Sequence, residues 1–400
     1  MIQNNLLERF AQFTTADELK SAGLYPYFRP IEENHDTEVV IGGKRLLMFG
    51  SNSYMGLTNH PKVKEAAKKA IDRYGSSCSG SRFLNGTSRL HLQLEERLAD
   101  FVGKEAALLF TTGFQTNLGT VSALMGRHGV IILDELVHAS IIEGSRLSFA
   151  RVHKYAHNDM QDLESILKAF PTDKPKMIVV DGIFSMEGDI CDLPAITALA
   201  EKYGALVMVD DAHSLGVLGR EGRGTADHFG LTGKVDIIMS TFSKSLASVG
   251  GFVAGSRQVI DYLMHHSRPL IFSASIPPSA AAAALAALEI MQEEPERLEA
   301  LWENTAYVSK AVREMGFDTG TGDTPIIPIY IRDNCRTFQF TQRLFEEGIF
   351  VNPVVSPAVR SDASMIRMSI MATHTRWQLD EAIGAIEKVA SELQVFALKQ

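Results

Sequence analysis

The chain has 400 residues, more than one hydrophobic core usually covers, so two packed units are expected. An apolar fraction of 45% and a charged fraction of 22% are typical of a globular protein and exclude a disordered chain. The net charge of −9, without any Lys- or Arg-rich run, argues against a protein that binds nucleic acid.

The cysteines and the most apolar stretch indicate the compartment. Cys78, Cys191 and Cys335 stand far apart and form neither a disulfide framework nor a metal-binding C-x-x-C pair. The first residues lack the basic start and apolar core of a signal peptide. The apolar stretch 280–291 is too short to span a bilayer and contains Glu289. We therefore expect a cytoplasmic protein with no metal site.

The first predicted element is an amphipathic helix over residues 3–22. Its apolar face holds Leu6, Leu7, Phe10 and Phe13. We expect this face to contact the core or a second subunit rather than to anchor the chain in a membrane.

The middle of the chain, from about residue 105 to 255, alternates apolar runs of strand length with amphipathic segments. The runs span 106–110, 130–133, 177–180, 205–209 and 235–239. Several are rich in β-branched residues, as strands buried on both faces should be. A helix is predicted over 193–203, between two of them. This alternation predicts an α/β fold with a mostly parallel sheet.

The pattern changes near residue 290, after Pro277-Pro278 opens an Ala-rich helix. The elements predicted in this part are helices over 279–292, 295–315, 337–347 and 376–393 and strands over 326–331, 349–351 and 366–370. They form a smaller α+β unit. The predicted division is an N-terminal segment of residues 1–50, a large domain of 51–290 and a small C-terminal domain of 291–400.

Polar residues follow the five predicted strands at the points where the strands end. The segments that hold them are Thr111–Phe114, Asp134–His138, Asp181–Ser185, Asp210–His213 and Ser240–Lys244. Singly, each has an ordinary explanation, such as a helix N-cap or a solvated lysine. In open α/β sheets, ligands bind beyond the carboxyl ends of the strands, so together these residues predict one functional site.

The residue types at this predicted site favour one cofactor. The chain has no G-x-G-x-x-G loop opening a helix and no Walker-type loop, which disfavours a dehydrogenase or an NTPase. Pyridoxal phosphate (PLP) needs a Schiff-base lysine, an aspartate for its ring nitrogen and donors for its phosphate. Lys244 beside hydroxyls, with Asp210 and His213 after a neighbouring strand, suits that chemistry.

Four segments resemble the α-oxoamine synthases, which are fold-type I PLP enzymes that condense an amino acid with an acyl-CoA and release CO2. They are SNSYMGL (51–57), FSMEGD (184–189), DDAHS (210–214) and TFSKS (241–245), the last followed by Gly250-Gly251. Within that family, LYPYFRP (24–30), SGSRFLNG (79–86) and the polar Ser243-Lys244-Ser245 are most similar to soluble bacterial serine palmitoyltransferases. The resemblance covers nearly the whole chain.

The resemblance implies a fold-type I PLP transferase, with a large domain built on a mostly parallel sheet and a smaller C-terminal α+β domain. It also implies a homodimer whose active sites lie at the interface. The implied reaction joins L-serine and palmitoyl-CoA and yields 3-oxosphinganine, CoA and CO2. Because the product is a lipid, the implied membrane contact is at most peripheral.

The resemblance also implies roles for the residues around the cofactor ring. Lys244 would form the Schiff base and then remove the Cα proton of serine. Asp210 would pair with the ring nitrogen, and His213 would hydrogen-bond the ring oxygen. His138 would stack on the ring and contact the substrate carboxylate, while Ser185 is a second candidate for the ring oxygen.

Further residues are implied at the phosphate and at the substrate carboxylate. The N–H groups of Gly113 and Phe114, where a helix begins, would bind the phosphate together with the hydroxyls of Thr241 and Ser243. Ser273 or Ser275 would reach the phosphate of the neighbouring subunit. The residues implied for substrate binding are Arg367, as a bidentate carboxylate clamp, with Asn52, Tyr54 and His138.

Two alternatives stay open on the sequence. The same catalytic set would serve a glycine C-acetyltransferase, with glycine and acetyl-CoA, or an 8-amino-7-oxononanoate synthase, with alanine and a pimeloyl thioester. The other alternative is a non-catalytic partner subunit of a synthase. The presence of Lys244, Asp210, His213 and His138 argues against that second reading.

Overall fold

The computed structural model describes residues 5–395. Its helices are α1 (Asn5–Ala11), α2 (Thr15–Ser21), α3 (Pro61–Tyr74), α4 (Arg89–Val102), α5 (Gly113–Leu124), α6 (Ala139–Ser148), α7 (Met160–Lys168), α8 (Leu193–Tyr203), α9 (Thr225–His228), α10 (Arg257–His266), α11 (Arg268–Ile271), α12 (Pro278–Glu293), α13 (Glu296–Glu314), α14 (Asn334–Glu346) and α15 (Arg376–Leu393). Its strands are β1 (Glu33–Asn34), β2 (Glu38–Ile41), β3 (Lys44–Met48), β4 (Ala106–Phe110), β5 (Val130–Asp134), β6 (Arg151–Tyr155), β7 (Lys176–Asp181), β8 (Leu206–Asp210), β9 (Ile237–Thr241), β10 (Gly251–Gly255), β11 (Ile326–Tyr330), β12 (Ile349–Phe350), β13 (Asn352–Val354) and β14 (Met365–Ser369).

A seven-stranded sheet with the order β4-β10-β9-β8-β7-β5-β6 forms the centre of the molecule. The neighbours from β9 to β6 pair in parallel, whereas β10 runs antiparallel to both β4 and β9. Every residue of β5, β7 and β9 is buried, because helices cover both faces of the sheet. The prediction of a mostly parallel sheet is confirmed.

The helix predicted over residues 193–203 illustrates how local signals fix an element. Asp192 caps its start by accepting a hydrogen bond from the Ala195 N–H, and Gly204 ends it with φ 65° in the left-handed region. Its bounds match the prediction, as do those of α15. The other predicted strands and helices from residue 106 onward are present with ends displaced by up to three residues.

Within the central sheet, the analysis of apolar runs missed two strands, β6 and β10. Strand β6 lies at the edge of the sheet and exposes most of its residues, so it lacks an apolar run. Strand β10 begins and ends with glycine, which resembles a loop in sequence. At Gly251, however, an added Cβ would lie 2.5 Å from Thr116 Oγ1 and 2.9 Å from Gly113 Cα. The glycine permits a close approach between strand and helix and does not mark a turn.

Two smaller sheets lie outside the central one. Strands β11, β14 and β13 form an antiparallel sheet, and β12 adds in parallel to β3 in a sheet with β1 and β2. Strands from the first fifty residues therefore share a sheet with a strand from the C-terminal part of the chain. The predicted boundary near residue 290 falls inside α12, which packs on α3. The three-part domain division stays a prediction.

The prediction of a single N-terminal helix is wrong. Residues 5–21 form two short helices, because the backbone turns at residues 12–14 and the Thr14 hydroxyl bonds the Glu18 carboxylate, 2.6 Å away, at the start of α2. The predicted residues 3 and 4 lie outside the described part. Phe10 and Phe13 are 61% and 69% exposed, so this face is not part of the core. Within residues 5–395, no helix is long and apolar enough to cross a membrane.

Candidate active site

A cavity of about 320 Å³ opens at the carboxyl ends of the central strands. Its lining includes eight residues that the sequence predicted for the site: Gly113, Phe114, His138, Asp210, His213, Thr241, Ser243 and Lys244. They come from four separate stretches of chain. The fold brings them together because neighbouring parallel strands end at the same edge of the sheet.

Asp210 lies at the buried end of β8 and is held by two hydrogen bonds. The Asn117 side-chain amide donates to one carboxylate oxygen, at 2.6 Å, and the Ala212 N–H donates to the other, at 2.9 Å. The same amide nitrogen also donates to Ser140 Oγ, which lies 2.6 Å from His138 Nδ1. Asn117 therefore orients the carboxylate of Asp210 and, through Ser140, the imidazole of His138.

The side-chain amine of Lys244 makes no hydrogen bond or ion pair within residues 5–395. Burial lowers the pKa of its amine to about 8, although the charges of Asp210 and Asp181 act in the opposite direction. At pH 7, about a tenth of this amine is therefore neutral and able to accept a proton.

Two carboxylates lie side by side beneath the cavity. In the register of β7 and β8, Asp181 pairs with Asp210. Burial and the neighbouring charge of Asp210 raise the pKa of Asp181 well above its ordinary value. Of this pair, Asp181 is the carboxyl on which burial favours the protonated form.

The first turn of α5 forms an anion-binding corner of the cavity. Thr112 caps the helix by accepting from the Gln115 N–H, whereas the N–H groups of Gly113 and Phe114 precede the first intrahelical bonds. A Cβ added at Gly113 would lie 2.6 Å from Thr241 Oγ1, so glycine is required for this closeness. The hydroxyls of Thr241 and Ser243 are 3.0 Å apart at the same corner.

These features fit PLP in chemistry and arrangement. An unpaired lysine amine, a buried carboxylate and an anion-binding helix start with two hydroxyls surround one cavity. They match the three requirements of the cofactor, which are a Schiff-base amine, a partner for the ring nitrogen and donors for the phosphate.

His213 is neutral and is oriented by Tyr54. Burial lowers its pKa well below the ordinary value, and the positive charges of Lys244 and Arg367 act in the same direction. Its Nδ1 lies 2.7 Å from the Tyr54 hydroxyl, so Nε2 is the nitrogen left for a ligand. Tyr54 does not line the cavity, but it is fully buried behind His213.

Arg367 connects three elements next to the cavity. Its Nη1 donates to Asn52 Oδ1, at 3.0 Å, and to Ser369 Oγ, at 2.7 Å. Its Nε donates to the backbone carbonyl of Ser185, at 2.6 Å. Arg367 is 5% exposed, and its three hydrogen bonds fix the guanidinium. Arg367 thus contacts both Asn52 and Ser185, although none of the three lines the cavity itself.

The two serines predicted to serve a neighbouring subunit differ in their surroundings. Ser275 is buried, and its hydroxyl donates to the carbonyls of Gly86, at 2.6 Å, and Gly80, at 3.1 Å. Ser273 is half-buried, and its hydroxyl accepts from Gln115 Nε2, at 3.2 Å, beside the first turn of α5. Ser273 therefore keeps its own proton to donate, which makes it the better candidate of the two.

Sequence reasoning missed Asn117, Ser140 and Ser369 and gave Asp181 no role. Asn117 lies four residues after Gly113, one helical turn along the same face, and this spacing was the available signal. Ser140 and Ser369 are ordinary hydroxyl residues whose roles depend on tertiary contacts with His138 and Arg367. No pattern in the sequence distinguishes them from other serines.

Comparison with known proteins assigns the class. Residues 44–386 match the model of the family described as aminotransferase class I and II. The chain is 58% identical to a serine palmitoyltransferase of Sphingobacterium spiritivorum over the full length of both chains. It is 44% identical to an 8-amino-7-oxononanoate synthase of Thermoanaerobacter pseudethanolicus, with 95% of this chain and 96% of that protein covered. A solved structure of SPT with PLP as internal aldimine superposes with a TM-score of 0.96, at 35% identity, over 98% of this chain and all of that one.

The chain belongs to the aminotransferase class I and II family. Within it, the chain falls among the relatives named serine palmitoyltransferase, to which it is more similar than to the oxononanoate synthase. The predicted family resemblance, the fold-type I PLP transferase fold and the PLP cofactor are confirmed. The roles of the individual site residues stay predictions.

Proposed function

We propose that the protein is a PLP-dependent serine C-palmitoyltransferase, which condenses L-serine with palmitoyl-CoA and yields 3-oxosphinganine, CoA and CO2. The observation that supports it most is the 58% identity with a serine palmitoyltransferase over the whole of both chains. The geometry agrees with that chemistry, because a lysine amine and a buried carboxylate line one cavity and a buried arginine is hydrogen-bonded to Asn52 behind it.

The proposed chemistry divides between the cofactor and the protein. Bound PLP supplies an electron sink that stabilises negative charge at the serine Cα. Asp210, whose carboxylate is fixed by Asn117, would pair with the ring nitrogen. Lys244 holds the cofactor and takes the proton from Cα, because its pKa of about 8 leaves it partly neutral at physiological pH. Lys244 also returns a proton to Cα after decarboxylation.

Arg367 is proposed to hold the serine carboxylate. Its Nε and Nη1 are hydrogen-bonded to Ser185, Asn52 and Ser369, which fixes the plane of the guanidinium. The orientation of this carboxylate matters for loss of the Cα proton and again for loss of CO2. Asn52, bonded to Arg367, and His138, at the cavity wall, complete the proposed substrate site.

The proposed assembly is a homodimer with each cavity at the interface. Two half-exposed apolar side chains, Phe114 at 46% and Val249 at 58%, border the cavity. Phe272, beside Ser273, is 74% exposed. Exposed apolar groups around a polar site are typical of an interaction surface. Ser273 would then contribute its hydroxyl to the phosphate site of the second subunit.

The test combines the purified, PLP-loaded protein with each of three amino acids, L-serine, glycine and L-alanine. Each is paired with palmitoyl-CoA, acetyl-CoA and a pimeloyl thioester, and CoA release and the ketone product are measured. We expect turnover with serine and palmitoyl-CoA to exceed every other pair by at least about tenfold.

Each contrary outcome has a defined meaning. A preference for glycine with acetyl-CoA, or for alanine with the pimeloyl thioester, would replace the proposal with the corresponding sister synthase. Absence of turnover with every pair would instead favour the non-catalytic partner subunit. The dimer is tested separately by light scattering of the same preparation, where a monomer would contradict the proposed assembly.

A further inference from the structure

A second charged cluster lies beside the active site, at the ends of β5 and β6. The imidazole of His157 is bonded on both sides: Nδ1 lies 3.0 Å from an oxygen of Asp134, and Nε2 lies 2.8 Å from an oxygen of Asp189. Asp134 is fully buried, and the side chain of His157 is 22% exposed. Both ring nitrogens therefore face carboxylates, which is the arrangement of a protonated imidazolium held between two anions.

One carboxylate of this cluster organises the turn that leads to His138. An Asp134 oxygen accepts from the Leu136 N–H, at 2.9 Å, and the Asp134 carbonyl accepts from the Val137 N–H, at 3.3 Å. The turn ends at His138, whose N–H donates to Asp181, at 3.3 Å. His157 thus contacts the residue from which this cavity-lining turn begins.

The other carboxylate belongs to the loop of residues 183–190. The Asp189 carbonyl accepts from the Phe184 N–H, at 3.0 Å, which closes the loop on itself. The ring of His157 also packs edge-on against Phe184, with 4.4 Å between the ring centroids. The next residue, Ser185, offers the carbonyl that receives Arg367 Nε.

We propose that His157 is a positioning residue, which joins the 135–138 turn to the 183–190 loop through Asp134 and Asp189 and so holds His138 and Arg367 in place for the substrate carboxylate. The inference rests on the proposed function only in taking Arg367 as a carboxylate-binding group. His157 does not line the cavity and is not itself a catalytic residue.

The inference is tested by substitution of Asp189, because removal of His157 would leave the buried Asp134 carboxylate without its cation and destabilise the whole fold. Asp189→Ala removes the contact between His157 and the 183–190 loop and keeps the Asp134–His157 pair. Asp189→Asn is the conservative variant, because its amide oxygen still accepts a hydrogen bond from Nε2. Asp192→Ala is the matched control, as Asp192 lies three residues away and caps α8 without touching His157.

The measurements are amino-acid affinity in the PLP-loaded protein without an acyl donor, from the change in cofactor absorbance, and the thermal unfolding midpoint. The amino acid used is the one of serine, glycine and alanine that the wild type binds most tightly. We expect D189A to weaken this affinity about tenfold, D189N to recover most of the loss, and D192A to lower the unfolding midpoint without weakening binding.

The inference is overturned if D189A keeps wild-type amino-acid affinity, whatever happens to its unfolding midpoint, or if D192A weakens binding as much as D189A does. Steady-state kinetics provide a second criterion, because a positioning defect raises the KM for the amino acid more than it lowers kcat. Since binding is measured without acyl-CoA, a wrong assignment of the acyl donor or of the amino acid would leave this comparison intact.

Discussion

Two basic side chains at the same edge of the central sheet have pKa values shifted in opposite directions. Lys244 is buried beside carboxylates with which it makes no ion pair, and its pKa falls to about 8. Burial also disfavours charge on His157, but the hydrogen bonds and charges of Asp134 and Asp189 outweigh it and raise the pKa to about 10. An imidazole is thus a stronger base here than a lysine amine. Direct bonding to carboxylates, more than residue type, determines which base keeps its proton.

The difference corresponds to a difference in task. A base that must accept a proton has to be neutral for part of the time, which burial without a bonded partner provides for Lys244. A group that connects two loops has to stay charged, which two bonded carboxylates provide for His157. Variants at four positions test this difference.

The largest effect is expected for Lys244→Ala. Because the amine is the proposed proton acceptor, the condensation rate should fall by at least about 10³-fold. The unfolding midpoint should change little, since the amine of Lys244 makes no hydrogen bond or ion pair with the described residues and the substitution keeps the backbone. Product formation and thermal unfolding check both expectations. Lys234→Ala is the control, as it removes only an exposed ion pair with Glu201. Retained turnover in K244A would contradict the assigned role.

The charge on His157 should appear in the pH dependence of stability. Its folded-state pKa of about 10 lies above the ordinary 6.5, so the stabilisation is complete below pH 6.5 and is lost as the pH rises through about 10. Between these limits full linkage would give about 5 kcal/mol; because His157 is partly exposed and solvent screens its charge, we expect the free energy of unfolding of the wild type to fall by roughly 3 kcal/mol more than that of H157Q. Denaturant titrations at several pH values test this. Parallel curves for the two proteins would mean that His157 is not charged.

A smaller effect is expected for Asn117→Ala, which removes the donor to Asp210 and to Ser140. Loss of this orientation should lower kcat/KM about tenfold, with a weaker hold on PLP. Thr120→Ala is the matched control, because Thr120 lies one turn further along α5 and its buried hydroxyl has no hydrogen-bond partner among the described residues. Equal losses in the two variants would place the effect in the packing of α5.

The smallest effect is expected for Ser185→Ala. Arg367 contacts the carbonyl of this residue, which the substitution keeps. If its hydroxyl bonds the cofactor ring, as the sequence predicts, PLP affinity should fall about fivefold while amino-acid affinity stays the same. Equilibrium dialysis of PLP and a serine titration separate the two. A loss of serine affinity with normal PLP binding would contradict the predicted role.

The sequence predicted best what depends on short segments buried on both sides. Strands β7, β8 and β9 are apolar runs that end in Asp181, Asp210 and Thr241, so both the strand and its polar end are visible in the chain. These strand ends and the segments that directly follow them supply about half of the residues that line the cavity. Their convergence follows from parallel pairing alone.

What the sequence did not predict depends on tertiary contacts. Position 251 of the strand requires glycine because Thr116 and Gly113 approach its backbone closely, and no local pattern indicates this contact. Asn117 is a polar residue inside a helix, and its function appears only once Asp210 and Ser140 are placed beside it. The spacing of the N-terminal apolar residues predicted one helix, but this spacing does not indicate the turn before Thr15.

The hydrogen bond between Asn52 and Arg367 joins residues 315 positions apart in the chain. Strand β3 likewise pairs with β12, which comes much later in the chain, so their sheet is complete only when both strands are present. The proposed substrate-carboxylate site therefore cannot assemble on the ribosome until Arg367 has emerged. A chain truncated before residue 367 contains Lys244 and the other residues that line the PLP cavity, yet it lacks the arginine that holds the substrate. In this fold, competence for amino-acid binding thus arises only after the cavity residues have been synthesised.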